Sequence, residues 1–344
     1  MTTLTTLHQR PLVRRGLAAL LATSAVLAGA TACAEGEAAG DDGGTRSLEV
    51  DYATYNPLSL VIKDQGWLED AAGEDVEVTW VKSEGSNKAN EALRAGAIDV
   101  GSTAGSAALL ARANGSPIHT IDVYSQPEWA AVVVGPDSRI KDLSELEGKK
   151  VAATQGTDPY FFLVQALEAE GVDRSKVSIE NLQHADGAAA LQNGAVDAWA
   201  GLDPIMANAE TQGAQLIYRN IDFNTYGFLN ATEDFLEKEP ELAQLVVDAY
   251  AKAREWVQEN PDEAVGILAA EAGIDEAVAR TVLTERTNLD FDHVPGSAQL
   301  DVLTKVGPLF VETGDVEDQS QIDDALDTLL DDTWATEADG SKVG

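Results

Sequence analysis

The chain has 344 residues and a formal net charge of −36 at pH 7, from 23 basic and 59 acidic side chains. This charge argues against binding to nucleic acid or to anionic lipid surfaces, since both require clustered Lys and Arg. We attribute the acidity to solubility, because net charge bears on solvation rather than on fold. The length allows two domains of ordinary size, and a hydrophobic content of 44% indicates a globular protein.

The N-terminus has the features of an export signal. Arg10, Arg14 and Arg15 precede the uncharged run GLAALLATSAVLAGATA, which ends in small residues. The run is shorter than the ~20 apolar residues of a membrane-spanning helix. We therefore predict a signal peptide over residues 1–32.

Cys33 is the only cysteine and cannot pair within the chain. It follows Ala30-Thr31-Ala32, and this quartet resembles a bacterial lipobox, with Ala30 where Leu is usual. We predict that Cys33 becomes the lipidated first residue of the mature chain, at the outer face of the cytoplasmic membrane. Soluble secretion with cleavage nearby is the alternative. The small, acidic and Gly-rich residues 33–46 predict a disordered tether.

From Leu48 onward, β-like and helical segments alternate. In chain order the segments are strand LEVDYA, helix NPLSLVIKDQGWLED, strand VEVTWV, helix SNKANEALRAG, strand AIDVGST, helix AGSAALLARANG, strand IHTIDVYS, strand KKVAAT, a helix over residues 158–170, strand VSIENL, helix ADGAAALQNG, strand DAWAGL, a helix from Pro204, strand YGFLNATEDF and two long C-terminal helices. This order predicts an α/β fold in which parallel or mixed sheets are covered by helices.

The phrase Ala-Leu-x-x-Gly-Ala-(Ile/Val)-Asp occurs twice, from Ala92 and from Ala190. In both places a helix ends at a glycine and a short buried strand follows, so the phrase predicts one supersecondary unit used once in each of two domains. We assign residues 47–136 and 224–344 to lobe 1 and residues 137–223 to lobe 2. The chain would then cross between the lobes twice, which makes a hinge plausible.

Four polar loops follow predicted strands and precede predicted helices, at the strand ends where α/β sheets bind ligands. Their hydroxyl and amide groups suit an oxyanion. Aromatic residues lie near the same strand ends. The candidate ligand-binding residues are Tyr55, Ser83, Ser86, Asn87, Ser102, Thr103, Ser106, Trp129, Gln155, Thr157, Asp158, Tyr160, His184 and Asp186. The competing interpretation is that each polar residue only caps the helix after it.

Several of these segments resemble the substrate-binding proteins of ABC importers, of the aliphatic-sulfonate, taurine and nitrate type. The segments are GWLE, EALRAGAIDVGSTAGSAALLARANGSPI, IKDLSELEGKKVAATQGTDPYFFLVQALEAEGV, AVDAWAGLDPIMANAE and FLEKEPELAQLVVDAYAKAREWVQENPDEAVGILA, which occur in that order. The resemblance implies a two-lobed periplasmic-binding-protein-like fold with a mixed sheet in each lobe and a ligand cleft between them. It also implies a small-molecule solute, an ABC permease with its cytoplasmic ATPase as partners, and a role without a cofactor. We expect a monomer that touches the membrane only through its lipid anchor.

The resemblance implies anion contacts at Ser86, Asn87, Ser102, Thr103, Thr157 and Tyr160. Glu84 and Asp158 depart from the pattern, because they add carboxylates among aromatic residues. A carboxylate disfavours a bound anion, whereas carboxylates beside aromatic faces suit an amine or a cationic heterocycle. The sulfonate prediction therefore has an alternative, an amine, betaine or pyrimidine-type ligand. Asp203, before Pro204, is expected to cap the helix that follows.

The sequence predicts a binding protein and not an enzyme. The histidines His8, His119, His184 and His293 have no metal-site spacing, and no catalytic or phosphate-loop motif occurs. A desulfinase of this fold would need a cysteine nucleophile, and none follows Cys33. Two alternatives stay open, a thiamine-pyrimidine-synthase-like enzyme using His184 and a surface interaction module.

Overall fold

The computed structural model describes residues 46–344, so the predicted signal peptide, Cys33 and nearly all of the tether lie outside the described residues. The strands are β1 (Arg46–Tyr52), β2 (Val76–Lys82), β3 (Val100–Ala104), β4 (Ile118–Pro127), β5 (Ala130–Val134), β6 (Lys150–Ala153), β7 (Ser178–Asn181), β8 (Ala198–Leu202), β9 (Gln215–Tyr218), β10 (Gly227–Thr232) and β11 (Thr287–Asn288). The helices are α1 (Pro57–Gln65), α2 (Trp67–Ala72), α3 (Ser86–Arg94), α4 (Gly105–Ala113), α5 (Asp158–Ala169), α6 (His184–Gln192), α7 (Ile205–Thr211), α8 (Glu233–Lys238), α9 (Pro240–Glu259), α10 (Pro261–Ala272), α11 (Glu276–Arg280), α12 (Ser297–Thr313), α13 (Gln319–Thr328) and α14 (Thr333–Thr336).

The first sheet is mixed and has the strand order β11-β4-β10-β3-β1-β2. β1 pairs in parallel with β2 and β3, whereas β10 runs antiparallel to β3 and β4. The long helix α9 packs against α1, α2 and β4, so the C-terminal helices cover this sheet as expected. Because β1 and β3 are parallel neighbours, their carboxyl ends meet at one edge, where α1 and α4 begin.

The second sheet is also mixed and has the order β7-β6-β8-β5-β9. It includes β5 (Ala130–Val134), although the sequence analysis placed residues up to 136 in lobe 1. All five residues of β5 are buried, and the strand pairs antiparallel with β8 and β9, which fixes it in this sheet. The chain therefore passes to the second sheet at residues 127–130, the first crossing segment, and returns at residues 219–226, the second crossing segment. We keep the two-lobed division as a proposal, with β5 moved to lobe 2.

The repeated phrase has the same local structure in both places. Gly96 and Gly194 end α3 and α6 with φ angles of 63° and 69°, a left-handed backbone that glycine adopts without strain. The two aspartates of the phrase then make matching bonds. Asp99 Oδ2 accepts from the backbone N–H of Glu49 in β1, and Asp197 Oδ2 accepts from the N–H of Lys150 in β6, both at 2.9 Å. The repeat therefore joins a helix end to a parallel strand once in each sheet.

Candidate ligand-binding site

Three of the four predicted loops lead into helices that lack a capping side chain, whereas the fourth helix, α4, donates the backbone N–H of Ser106 to Thr225 Oγ1 at 2.8 Å. None of α3, α4, α5 and α6 receives a side-chain hydrogen bond from its N-cap residue. By contrast, Asn56, Thr232 and Asp318 do cap α1, α8 and α13. The capping interpretation therefore fails for the loops before α3, α5 and α6, and at α4 the capping hydroxyl comes from Thr225 and not from the predicted loop.

The loops from the two sheets meet. A Cβ placed on Gly85, before α3, would lie 3.0 Å from His184 Nε2 at the start of α6 and 2.9 Å from Asn87 Oδ1. A Cβ on Gly156, before α5, would lie 3.8 Å from the Cβ of Asn87. The loop of residues 83–87 therefore contacts the loops before α5 and α6, and the candidate site lies where the two sheets' strand ends face each other.

Asp51 at the end of β1 is a central residue of the site that the sequence analysis missed. Ser102 donates to Asp51 Oδ1 twice, from its backbone N–H at 2.8 Å and from Oγ at 2.9 Å. Burial raises the pKa of the Asp51 carboxyl to about 7, and hydrogen bonds from Ser83 and Ser102 oppose that rise. Tyr55 donates its hydroxyl to the Ser102 carbonyl at 3.0 Å. The predicted residues Tyr55, Ser83 and Ser102 thus surround one buried carboxylate.

Asp158 gathers donors from lobe 1 and from both crossing segments. Its Oδ1 accepts from Ser106 Oγ at 2.7 Å and from Thr225 Oγ1 at 2.6 Å. Its Oδ2 accepts from Trp129 Nε1 and from the backbone N–H of Thr225, both at 2.8 Å. Burial raises the pKa of the Asp158 carboxyl, and these four hydrogen bonds oppose the rise. The structure does bring the predicted residues Ser106, Trp129 and Asp158 together. Their polar groups form hydrogen bonds with one another, so these groups are already paired without a ligand.

Three further predicted hydroxyls already form hydrogen bonds within the protein, those of Ser86, Thr103 and Thr157. Ser86 Oγ accepts from the backbone N–H of Ala104 at 2.9 Å and so joins the first two loops. Thr103 Oγ1 donates to the Ala104 carbonyl and accepts from Asn230, which keeps it within the first sheet. Thr157 Oγ1 donates to the Thr154 carbonyl at 2.6 Å and shapes the turn before α5.

His184 begins α6 and is 1% exposed. Burial lowers the pKa of its imidazole to about 4, so the ring is neutral at physiological pH. Its Nδ1 lies 3.2 Å from Thr154 Oγ1, and its Nε2 is buried without a hydrogen-bond partner. A neutral, partly unpaired imidazole therefore stands at the lobe junction.

Four residues of the sequence analysis lie apart from this cluster. Gln155 and Asp186 are exposed. Tyr160 is buried against Phe161, with ring centroids 5.1 Å apart. Glu84, whose carboxylate disfavours an anionic ligand, is exposed and lies 3.4 Å from the Lys82 ammonium. Burial raises the pKa of Tyr55, and the Glu84 charge contributes a smaller part of that rise.

The structure also reveals an ion pair between the lobes that the sequence analysis did not find. Arg286, next to β11, donates to both carboxylate oxygens of Asp203 at 3.2 Å and to Glu210 at 2.6 Å. Asp203 also accepts from the backbone N–H of Ala207 at 2.9 Å, so its expected capping role is confirmed. Burial raises the pKa of the Asp203 carboxyl to about 6, although Arg286 opposes this. A single arginine just before a short edge strand carries no sequence pattern from which this ion pair could be predicted.

Tyr124 and Ser125, at the end of β4, add two buried hydroxyls without hydrogen-bond partners. Burial raises the pKa of Tyr124, with further contributions from the neighbouring Tyr55 and from Asp51. The Tyr55 and Trp129 rings pack edge to face with centroids 6.1 Å apart. The floor of the site in lobe 1 is therefore aromatic, with hydroxyls and one carboxylate.

The wider cavities of the described chain lie away from these loops. One of about 290 Å³ lies on lobe 2 between α6 and α7, with Pro136, Leu191 and Ile205 in its wall and no charged group. The cavity that Tyr55, Trp129, Asp203 and Arg286 line is only about 10 Å³. We favour the loop junction as the site, because it concentrates buried carboxylates and unpaired buried atoms, whereas the cavity between α6 and α7 is lined mainly by alanine and aliphatic side chains with three amides, Gln192, Asn208 and Gln212.

Within residues 46–344, no group of His, Cys, Asp and Glu is arranged to hold a metal ion. Over the same residues, no helix combines the length and apolar character needed to cross a membrane.

The chain belongs to the NMT1/THI5-like family, whose model matches residues 58–264. A protein of Bacillus subtilis strain 168, named for binding aliphatic sulfonates, is 29% identical over 328 residues, which covers 92% of this chain and 98% of that protein. An Escherichia coli K12 protein with the same name is 27% identical over 310 residues and covers 89% and 91%. The structure of the alkanesulfonate-binding protein SsuA from Xanthomonas axonopodis pv. citri, bound to MOPS, superimposes with a TM-score of 0.73 at 22% identity, over 82% of this chain and 98% of that one. The fold is therefore that of the periplasmic binding proteins.

Proposed function

We propose that this protein is the solute-binding subunit of an ABC importer and that it captures a small sulfonate between its two lobes. The observation that carries the proposal is the meeting of three helix N-termini without a capping side chain, those of α3, α5 and α6, at the lobe junction. Each such helix end stabilises a nearby anion by about 0.3–1 kcal/mol. Relatives named for binding aliphatic sulfonates, which cover about nine tenths of the chain, support the ligand class.

The proposed binding cycle follows from the two crossing segments. The two lobes rotate apart at a hinge formed by the crossing segments, residues 127–130 and 219–226. A sulfonate enters between the loops, and the lobes then close on it. The closed form then docks on a membrane permease that a cytoplasmic ATPase drives. We propose that the protein works as a monomer on the outer face of the cytoplasmic membrane, where a lipid on Cys33 anchors it.

A nitrogenous ligand is the second candidate, and one observation favours it. Asp51 places a buried carboxylate beside Tyr55, Tyr124 and Ser102 at the floor of the site. Such a carboxylate stabilises an ammonium or a protonated heterocycle better than it tolerates a sulfonate. In this case the protein would be an importer subunit for an amine, a betaine or a pyrimidine.

A thermal-unfolding screen against two panels separates these candidates. The first panel contains alkanesulfonates, taurine and nitrate, and the second contains amines, betaines and pyrimidines. A ligand that binds only the folded protein stabilises it by about 2.7 kcal/mol at a hundredfold excess over Kd. We expect the rise in Tm to be confined to the first panel. A rise in Tm confined to the second panel would contradict a sulfonate ligand but leave the importer role standing. No rise with either panel would contradict solute binding.

Two substitutions test the placement of the ligand. The double variant Ser102→Ala, Thr157→Ala changes the second and third loops and should weaken sulfonate binding in calorimetry, because Ser102 holds Asp51 and Thr157 shapes the turn before α5. The matched control is Ser178→Ala, Thr304→Ala, two exposed positions outside the four loops. If both double variants bind like the unchanged protein, the ligand occupies other loops. Intact-mass spectrometry of membrane-extracted protein tests the anchor, for which we expect a lipidated chain that begins at Cys33.

A further inference from the structure

The tautomer of His184 follows from its neighbours. Thr154 Oγ1 donates its single hydrogen to the Leu182 carbonyl at 2.7 Å, so it can only accept from a second partner. The second partner is His184 Nδ1 at 3.2 Å, which must therefore carry the proton. In a neutral imidazole the other nitrogen is then a bare acceptor. Thr154 thus fixes His184 Nε2 as a hydrogen-bond acceptor.

This acceptor lies at the lobe junction and is unsatisfied. Nε2 is buried without a partner, and it faces Gly85 of the opposite lobe. The nearby Asn87 Oδ1 is a second buried acceptor without a partner. An unpaired buried acceptor is costly and is uncommon in native proteins. Because these two atoms belong to opposite lobes, a solute that enters between the loops reaches both of them before the lobes close.

We propose that His184 is a specificity-determining residue whose Nε2 accepts a hydrogen bond from an N–H or O–H group of the bound solute. The proposal rests on the proposed function and narrows it to solutes that carry a donor, such as amino- or hydroxyalkanesulfonates. A plain alkanesulfonate has only acceptor oxygens and would leave Nε2 unpaired. The N-termini of α3, α5 and α6 would hold the anionic group, and His184 would select the other end of the molecule.

The test compares matched solutes by calorimetry on the intact protein. Ethanesulfonate lacks a donor, and 2-hydroxyethanesulfonate and 2-aminoethanesulfonate each add one. Pyrimidine and 4-aminopyrimidine form a nitrogenous pair. We expect the donor-bearing member to bind about tenfold tighter or more, from the cost of an unpaired buried acceptor. His184→Phe should reduce the affinity ratio between the two members of a pair to near one. Thr154→Val removes the hydroxyl that fixes the proton on Nδ1, and it should lower the ratio in part.

The readout is the affinity ratio within a pair, which a general weakening of the fold does not change. Asn193→Ala is the control, because it removes an exposed amide just after α6, and it should keep the donor preference. A ratio near one in the unchanged protein, or a ratio that survives His184→Phe, overturns this inference and leaves the proposed function standing. If no solute in either pair binds, both fail together. Nitrogen NMR of the ligand-free protein is an independent test, and a proton on Nε2 of His184 in place of Nδ1 would also overturn the inference.

Discussion

Trp129 Nε1 donates a hydrogen bond to Asp158 Oδ2 at 2.8 Å, and this bond ties the first crossing segment to the start of α5. Thr225 of the second crossing segment donates to the same carboxylate twice, and Ser106 at the start of α4 adds a fourth bond. One buried carboxylate therefore joins both crossings and both lobes. We interpret Asp158 as a fixed point of the hinge, in place of the ligand contact that the sequence suggested.

Asp158→Ala should lower the free energy of unfolding by about 3–5 kcal/mol, measured by urea denaturation. The loss follows because the N–H groups of Trp129 and Thr225 would stay buried without an acceptor. Asp158→Asn should cost much less. Its amide oxygen can accept from both N–H groups, while its NH2 group can donate to the Ser106 and Thr225 hydroxyls. Equal losses in the two variants would show that the charge, and not the hydrogen-bond geometry, is what the hinge requires.

The stability of the protein should fall as the pH rises from about 4 to 7, in part because of Asp51. Its folded pKa of about 7 lies above the ordinary value of 3.8 for an aspartate, so the folded state holds the proton more tightly. The stability that this proton contributes is complete below the unfolded pKa and is lost as the pH rises through 7. The loss amounts to at most about 4 kcal/mol.

Asp51→Asn isolates this contribution, because Asp203, whose pKa is raised to about 6, acts in the same direction in both proteins. At pH 4 the wild type should have the higher free energy of unfolding. At pH 8 Asp51→Asn should have the higher value, because only the wild type loses the contribution of the Asp51 proton as the pH rises. Parallel pH curves would mean that Asp51 titrates alike in the folded and unfolded chains.

Gly85→Ala should weaken ligand binding without unfolding the protein. The added Cβ would lie 3.0 Å from His184 Nε2, a separation that forces the two loops apart. We expect an affinity loss of about tenfold or more, because closure orders the site. Gly266→Ala in α10 is the control, since nothing lies within 4 Å of its added Cβ. It should bind normally and be slightly more stable. Normal binding by Gly85→Ala would show that these loops do not close on the ligand.

Arg286→Gln should lower the free energy of unfolding by about 3 kcal/mol, because it leaves Asp203 buried without its charge partner. Lys88→Gln breaks an exposed pair with Glu91 at 2.8 Å and should change stability by less than about 0.5 kcal/mol. Both values come from urea denaturation at one pH. If Arg286→Gln were as mild as Lys88→Gln, the ion pair between the lobes would contribute nothing to holding them together.

The regular elements and the four loops could be predicted because they are local. The repeated phrase predicted two matching units, and the structure has matching bonds at Asp99 and Asp197. The partners of Asp158 could not be predicted, since they lie 29, 52 and 67 residues away along the chain. Asp51 was missed because one acid in an alternating strand is normally solvent-exposed. Its burial depends on Ser102, which lies 51 residues further on.

The predicted end of the first segment of lobe 1, at residue 136, differs from the structure because the sheet to which β5 belongs also depends on residues distant in sequence. The predicted boundary of lobe 1 at residue 136 falls at the Gly-Pro turn that follows the run AAVVV. The pairing of β5 with β8 decides its sheet, and no local pattern encodes that pairing.

Hydrogen exchange followed by mass spectrometry, with and without a saturating 2-aminoethanesulfonate concentration, tests the central claim most directly. If the solute binds between the lobes, amides in residues 83–87, 102–106, 154–158 and 183–187 should exchange more slowly together, since closure shields all four loops. Protection confined to the wall of the outer cavity between α6 and α7, or none at all, would contradict a binding site at the lobe junction.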